Sequence, residues 1–381
     1  MSQRLKTDWI LFATVLLLVT LGLVILYSAS SIMANVDPRF GSSWHFVIRQ
    51  VGWAAAAVIC MMALKRTNYR RLNNSALAFG AISIALLLLT VVYFVDGHHR
   101  WLRIGPVGLQ PSELAKPALV LFLAFFVAWR GRAINNPRHT LMPAALAVGF
   151  VLFAVVVADL GTAVVLGVAA MAVFFVAGLE WRYCGIALAI ALVGFGISIY
   201  REPYRLARVV HFFDPEFKIL TRFDKSGTVR LRMEKSLATR DTNYQAQQSK
   251  IAVGAGGVVG VGLMNGKQKL LYLPEAHTDF IYAVVGEELG TIGAGGVLLC
   301  FGIIFWRGLR AAWRMGDDFG RYLALGATIV VVVQGFINMS EVLGMMPTKG
   351  IPLPMISYGG SSVFCTLAML GMLMNVSENA G

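Results

Sequence analysis

LMPAALAVGFVLFAVVVADLGTAVVLGVAAMAVFFVAG, Leu141–Gly178, holds two membrane-length apolar runs separated only by Asp159 and Leu160. A hydrocarbon core about 30 Å thick takes about 20 apolar residues of helix to cross. The stretch therefore reads as two spanning helices, Leu141–Ala158 and Gly161–Gly178, joined in a tight hairpin. Outward from it, similar windows fall at Trp9–Tyr27, Phe46–Leu64, Ala76–Val95 and Glu113–Trp129 on the N-terminal side. Cys184–Tyr200, Phe280–Phe305, Tyr322–Leu343 and Ser361–Val376 follow on the other. About ten spans predict an all-α integral membrane protein, a single polytopic bundle over residues 1–381.

Composition agrees. The chain is 57% hydrophobic and only 14% charged, well below the roughly 25% charged residues of a soluble domain. Its net charge of +13 points to arginine at membrane interfaces facing anionic lipid, not to nucleic acid, for which no motif is present. Four cysteines, Cys60, Cys184, Cys300 and Cys365, stand singly with no CxxC or His/Cys ligand spacing. Neither a zinc site nor a disulfide framework is indicated. Trp9–Tyr27 is longer than a signal sequence's apolar core and lacks a small-residue cleavage site after it, so it reads as a retained first span.

One set of short loops carries Arg4 and Lys6, then Lys65, Arg66, Arg70 and Arg71, then Arg130, Arg132 and Arg138, then Arg182, then Arg307, Arg310, Arg314 and Arg321. These loops alternate with a less basic set. The excess of positive charge marks the cytoplasmic side, which puts both termini inside and one large extracytoplasmic loop, 201–279, between spans seven and eight. Within that loop Phe217–Thr242 is charged and poor in apolar residues, suited to a flexible or docking surface. IAVGAGGVVGVGLMNG, Ile251–Gly266, matches neither a Walker pattern nor GxGxxG after a strand. It reads as a re-entrant segment packed closely on its neighbours, with a backbone phosphate cradle as the alternative.

With this topology, polar groups from five separate segments meet at the outer face. They are Trp101–Arg103, Glu113 with Lys116 three residues on, Asp159, Glu275–Asp279 and the loop Pro347–Ser362. Each has a blander reading: an ion pair at a helix start for Glu113–Lys116, an N-cap for Asp159, an interfacial hydrogen-bonding residue for His277. Glu287 and Glu288 fall two turns deeper and read as structural or conformational. The proline and glycine of Pro347–Gly360 require irregular backbone, tolerated at membrane depth only when packed in protein or lining a cavity. Five segments on one face point to a site.

Six stretches, most of them holding these residues, carry a resemblance: WLRIGPVGLQPSELAK (Trp101–Lys116), DLGT (Asp159–Thr162), REPYRLARVVHFFDP (Arg201–Pro215), QQSKIAVGAGGVVGVGL (Gln247–Leu263), YLPEAHTDFIYAVVGEELG (Tyr272–Gly290) and INMSEVLGMMPTKGIPLPMISYGGSS (Ile337–Ser362). In these stretches, which run in order through most of the chain, it resembles the SEDS family of bacterial membrane proteins, peptidoglycan polymerases of division (the FtsW branch) and elongation (the RodA branch). PTKG at Pro347–Gly350 and the REPYR–FDP stretch resemble the division branch more closely. Two features depart from the family pattern: the length and charge of Phe217–Thr242, and Ser340–Glu341 where a small and an apolar residue are expected.

The resemblance implies a glycosyltransferase of the bacterial cytoplasmic membrane that polymerises lipid II at its outer face. The growing chain's reducing end is the donor and the 4-hydroxyl of an incoming lipid II the acceptor, with undecaprenyl pyrophosphate leaving. A β product from an α-pyrophosphate implies one inversion, hence one base and no covalent nucleophile. Asp279 matches the family's proposed catalytic aspartate. A free aspartate, pKa about 3.9, is a weak base at neutral pH; it would serve better with a pKa raised by partial burial, or with proton transfer coming late. Arg103, Lys116, Arg205, Arg208 and Lys349 are candidates to stabilise the leaving pyrophosphate. Glu113 and Asp159 would orient Lys116 or hold a divalent cation, Mg or Mn, although no ligand cluster compels one. Trp101, Glu275, His277 and Ser357 complete the substrate-binding set. Expected partners are lipid II, the lipid-linked glycan, a single-span transpeptidase penicillin-binding protein, other divisome or elongasome proteins and membrane lipids. A lipid II flippase and a non-catalytic scaffold are the competing readings. A flippase predicts polar groups spread across the bilayer, and a scaffold leaves the outward acids without a role.

Overall fold

The computed structural model describes residues 7–37, 40–97, 99–104, 107–214, 242–270 and 272–380. Apolar runs become helices where a short polar side chain can catch the first free N–H groups: Asp8 opens α1 (Trp9–Val36), Asn74 opens α3 (Ser75–Val95), and Asp159 opens α6 (Leu160–Val176). Between them lie α2 (His45–Arg66), α4 (Pro111–Arg130) and α5 (Met142–Ala158). Then come α7 (Trp181–Arg201), α8 (Pro203–Phe213), α9 (Thr242–Gly256), α10 (Ile281–Arg314), α11 (Asp318–Val342) and α12 (Gly360–Asn379). Among the described residues nine helices are long and apolar enough to cross a membrane. With α6, 17 residues long and similarly apolar, they make the bundle of about ten. The α5–α6 hairpin turns at Asp159 alone.

The most apolar windows of α4, α11 and α12 are 72%, 78% and 83% buried, against 11% in α7, so those three form the centre and α7 the rim. α12 packs along α2, and α11 lies against α10, α4 and α6. Between α3 and α4 a small hairpin, β1 (Leu102–Ile104) with β2 (Val107–Leu109), pairs Arg103 with Gly108. The sequence signals did not include this hairpin.

The greater difference from expectation is α10. It spans 34 residues, about 50 Å at 1.5 Å per residue, and is broken at Gly290, whose φ of 67° and ψ of −166° are not helical. The glycine-rich stretch after α9 runs beside the break. Val261 N–H donates to the Glu287 carbonyl and Gly262 N–H to that of Glu288, both at 3.0 Å, while Thr291 N–H reaches the Gly257 carbonyl at 2.9 Å. These bonds satisfy unwound backbone, which would otherwise be costly in a membrane. A Cβ on Gly260 or Gly290 would overlap the opposing backbone, so glycine permits the approach. Phe217–Thr242 lies outside the described residues up to 241.

Candidate active site

The segment from Lys267 to Asp279 hangs from the two deep acids. Glu287 Oε1 accepts the N–H groups of Lys267 at 2.7 Å and Gln268 at 3.2 Å. Buried Lys269 closes on Glu288 at 2.5 Å and on Ser28 at 2.6 Å. Charges this deep persist when paired and hydrogen-bonded. The same segment ends at Asp279, one residue short of α10's N-cap.

Around Asp279 the 347–359 loop is tied down on both sides. Asn338 Nδ2 donates to the carbonyls of Asp279 at 2.8 Å and Ile351 at 2.7 Å. Ser357 Oγ donates to the Thr278 carbonyl at 2.6 Å and accepts Leu353 N–H at 2.8 Å. Tyr358 N–H donates to the His277 carbonyl at 3.0 Å. Gly350, at φ +74°, lies so close that a Cβ there would stand 2.9 Å from Asp279 Oδ2. The loop and Asp279 thus share one frame.

Burial pushes the Asp279 carboxyl up from 3.8 to about 6, with Glu275 and Asp159 pushing the same way and Arg100 and Arg208 opposing. Asp279 therefore approaches the proton affinity a general base needs near neutrality. His277, buried against Phe46 and Tyr358 at ring distances of 4.9 and 5.9 Å, is held below the usual histidine value by burial, with Glu275 opposing. Lys349 is likewise lowered by burial, against Glu341 and Asp159.

Arg208 Nη1 donates to the Thr348 carbonyl at 2.9 Å, and its guanidinium lies on the Tyr204 ring. Lys349 lies over the Phe195 ring at 4.9 Å, and its N–H donates to Glu341 Oε2 at 3.0 Å. The acid that departs from the family pattern thus holds the loop's backbone. Asp159 caps α6 through Gly161 and Thr162 N–H and takes the Thr162 hydroxyl at 2.9 Å. The capping reading is satisfied, and its Oδ2 also lies 3.7 Å from Arg100.

Other expected residues stand further off. Glu113 and Lys116 form a fully buried pair at 2.6 Å, and Lys116 also donates to Gln334 at 2.7 Å. Gln334 in turn donates to the Pro352 carbonyl at 2.8 Å. The pair therefore supports the loop from beneath. Arg205 turns to Ser198 at 2.7 Å and the Val156 carbonyl at 3.3 Å. Arg103 is exposed on β1, and Trp101 is part-exposed with its N–H on Asp96. Glu275 is exposed and accepts the Thr278 hydroxyl at 2.9 Å.

The cation that the sequence reading missed is Arg100, which reaches the Gly350 carbonyl at 3.2 Å as well as Asp159. It precedes the recognisable WLR stretch by one residue. Gln334 and Asn338 were missed too, and Glu341 was noted without a role, although their spacing along α11 places three polar side chains on one face of an apolar helix, a signal visible in sequence. Among the described residues no group of three or more His, Cys, Asp or Glu is arranged to hold a metal ion.

Fold and site together define a polytopic membrane protein with a partly buried carboxylate beside several cations at one end of its bundle. A family model described as "Cell cycle protein" (FtsW/RodA/SpoVE) matches residues 8–381, and the chain belongs to that family. Stage V sporulation protein E of Bacillus subtilis (strain 168) is 34% identical over 99% of this chain and 98% of its own length. A probable peptidoglycan glycosyltransferase FtsW of Geobacter sp. (strain M18) is 36% identical over 97% and 96%. Among solved structures, the rod shape determining protein RodA of Thermus thermophilus superposes with a TM-score of 0.67 at 26% identity over 98% of each chain. A chain from work on "structural coordination of polymerization and crosslinking by a peptidoglycan synthase complex" gives 0.74 at 28% identity, again over 98% of each.

Proposed function

We propose that the chain is a peptidoglycan glycosyltransferase that polymerises lipid II at the outer face of the bacterial cytoplasmic membrane, with Asp279 as general base. The observation that carries this reading is the Asp279 carboxyl, raised to about 6 and fixed against Gly350 by Asn338 and Ser357. Relatives named peptidoglycan glycosyltransferase over nearly the whole chain support the reaction class.

In this mechanism Asp279 takes the proton of the acceptor 4-hydroxyl as its oxygen attacks the donor's anomeric carbon. The C–O bond to pyrophosphate breaks with inversion. Arg100, Arg208 and Lys349, held by loop carbonyls, an aromatic face and Glu341, stabilise the charge that develops on the leaving diphosphate. Glu113 and Lys116 keep the loop in place without touching substrate. The outer location follows from the excess of arginine at the opposite helix ends, and both termini then face the cytoplasm. A single-span transpeptidase is the partner that would crosslink the product.

The deep charges are closed on themselves, Glu113 with Lys116 and Lys269 with Glu288, which favours a fixed scaffold over a transport path. The test is labelled lipid II given to the purified chain, alone and with a cognate transpeptidase. Glycan polymer from wild type and none from Asp279→Asn supports the assignment; polymer from both refutes Asp279 as base, and none from either refutes the activity.

A further inference from the structure

At the far end of α10 from Asp279, a cleft of about 280 Å³ opens between the start of α1, the last turns of α10 and the end of α12. Asp8, Trp9, Arg307, Arg310, Arg314 and Ser377 line it. The three arginines fall on one face of α10, at positions i, i+3 and i+7.

Their charges are unequally compensated. Asp8 Oδ2 accepts Arg307 Nη2 at 2.7 Å and Nε at 2.8 Å, and the Ser377 hydroxyl at 2.9 Å. Its other oxygen accepts Leu11 N–H at 3.2 Å. Asp8 is therefore committed to Arg307. Arg310 and Arg314 are exposed and form no ion pair with any described residue. The cleft thus carries two uncompensated positive charges one helical turn apart.

Its position also matters. Trp9, Trp306 and Trp313 are exposed around this end of the bundle, and indole rings concentrate where hydrocarbon meets the head groups. The arginines are therefore at head-group depth. Basic pockets between helices on the cytoplasmic side suit the phosphates of anionic lipids.

We propose that this cleft is a binding site for the phosphate head group of an anionic phospholipid of the inner leaflet, held by Arg310 and Arg314 with Arg307 and Asp8 as its fixed wall. The site lies about 45 Å of helix from Asp279 and shares no residue with the polymerising machinery. It clasps α1, α10 and α12 together at the end where each enters or leaves the membrane.

The experiment is native mass spectrometry of the full-length chain with phosphatidylglycerol and, in parallel, phosphatidylcholine. Wild type is expected to retain phosphatidylglycerol at least tenfold better. Arg310→Ala with Arg314→Ala should weaken that binding roughly thirtyfold, the worth of two interfacial arginines, with the thermal transition and polymer yield unchanged. Arg314→Gln alone should weaken it roughly fivefold, which keeps the test decisive if the double variant is poorly folded. Inorganic phosphate at millimolar concentration should not displace the lipid. Equal retention of the two lipids, wild-type binding by the variants, or displacement by inorganic phosphate would each overturn the proposal.

Discussion

Asp279→Asn is expected to abolish polymerisation and at the same time stabilise the fold, in a pH-dependent way. The Asp279 carboxyl binds protons with a pKa of about 6 in the folded chain against 3.8 when unburied. At about 1.4 kcal/mol per tenfold change in proton affinity, that gap corresponds to about 3 kcal/mol. The sign follows from which form burial favours. Tighter proton binding in the folded state helps folding while the group is protonated, fully below about 3.8, and this help is lost as pH rises through about 6. At pH 7 the native carboxylate is therefore held at a cost of up to about 3 kcal/mol, an upper bound because the side chain keeps some exposure. Asparagine, neutral throughout, removes that cost at pH 7 and gains nothing near pH 4. In detergent this should appear as a thermal midpoint several degrees above wild type at pH 7, converging with it near pH 4. Wild-type activity should rise with pH through about 6, since the ionised fraction falls from about 0.9 at pH 7 to about 0.1 at pH 5. A variant that polymerises at a tenth of the wild-type rate or more, or one whose midpoint does not rise at pH 7, would refute the buried-base reasoning.

Arg100→Ala should lower kcat/KM for lipid II by about tenfold or more and, because Arg100 opposes the rise at Asp279, move the acid limb of the pH–rate profile above 6. Arg103→Ala, at an exposed hairpin position, should change neither, and parallel steady-state profiles decide between the two arginines. Lys116→Met strands Glu113 in the core and should cost about 3–5 kcal/mol, read as loss of monodisperse protein. Glu113→Gln with Lys116→Met should recover most of that yield. Gly290→Ala drives a Cβ into Val258 and Gly260, so its thermal midpoint should fall and limited proteolysis within 257–292 should quicken.

Much of this was legible in sequence because a bilayer leaves few solutions. Uninterrupted apolar runs such as Leu141–Ala158 and Gly161–Gly178 form helices there, because a helix satisfies its own backbone. The residue types of the site were legible for the same reason: Asp279 and the 347–362 loop stand out where charge and irregular backbone are expensive. Partnership was not. Arg100 and Arg103 are equivalent on paper, and only the turn into β1 sends one to Asp159 and leaves the other in solvent. Gln334, Asn338 and Glu341 are three polar residues in a span until α11 packs under the loop and gives each a backbone group to hold. Glu287 and Glu288 read as structural or conformational charges, with no partner named. Tertiary structure makes them the hooks from which the Asp279 segment hangs, beside a break in α10 that Gly290 permits and the 257–262 backbone fills. Sequence by itself determined where chain enters the membrane and which groups are too costly to be idle, since transfer energies act on each segment separately. Which of those groups meet, and how far Asp279 is buried, depends on contacts between segments 260 residues apart and more, and only the packed bundle decided it.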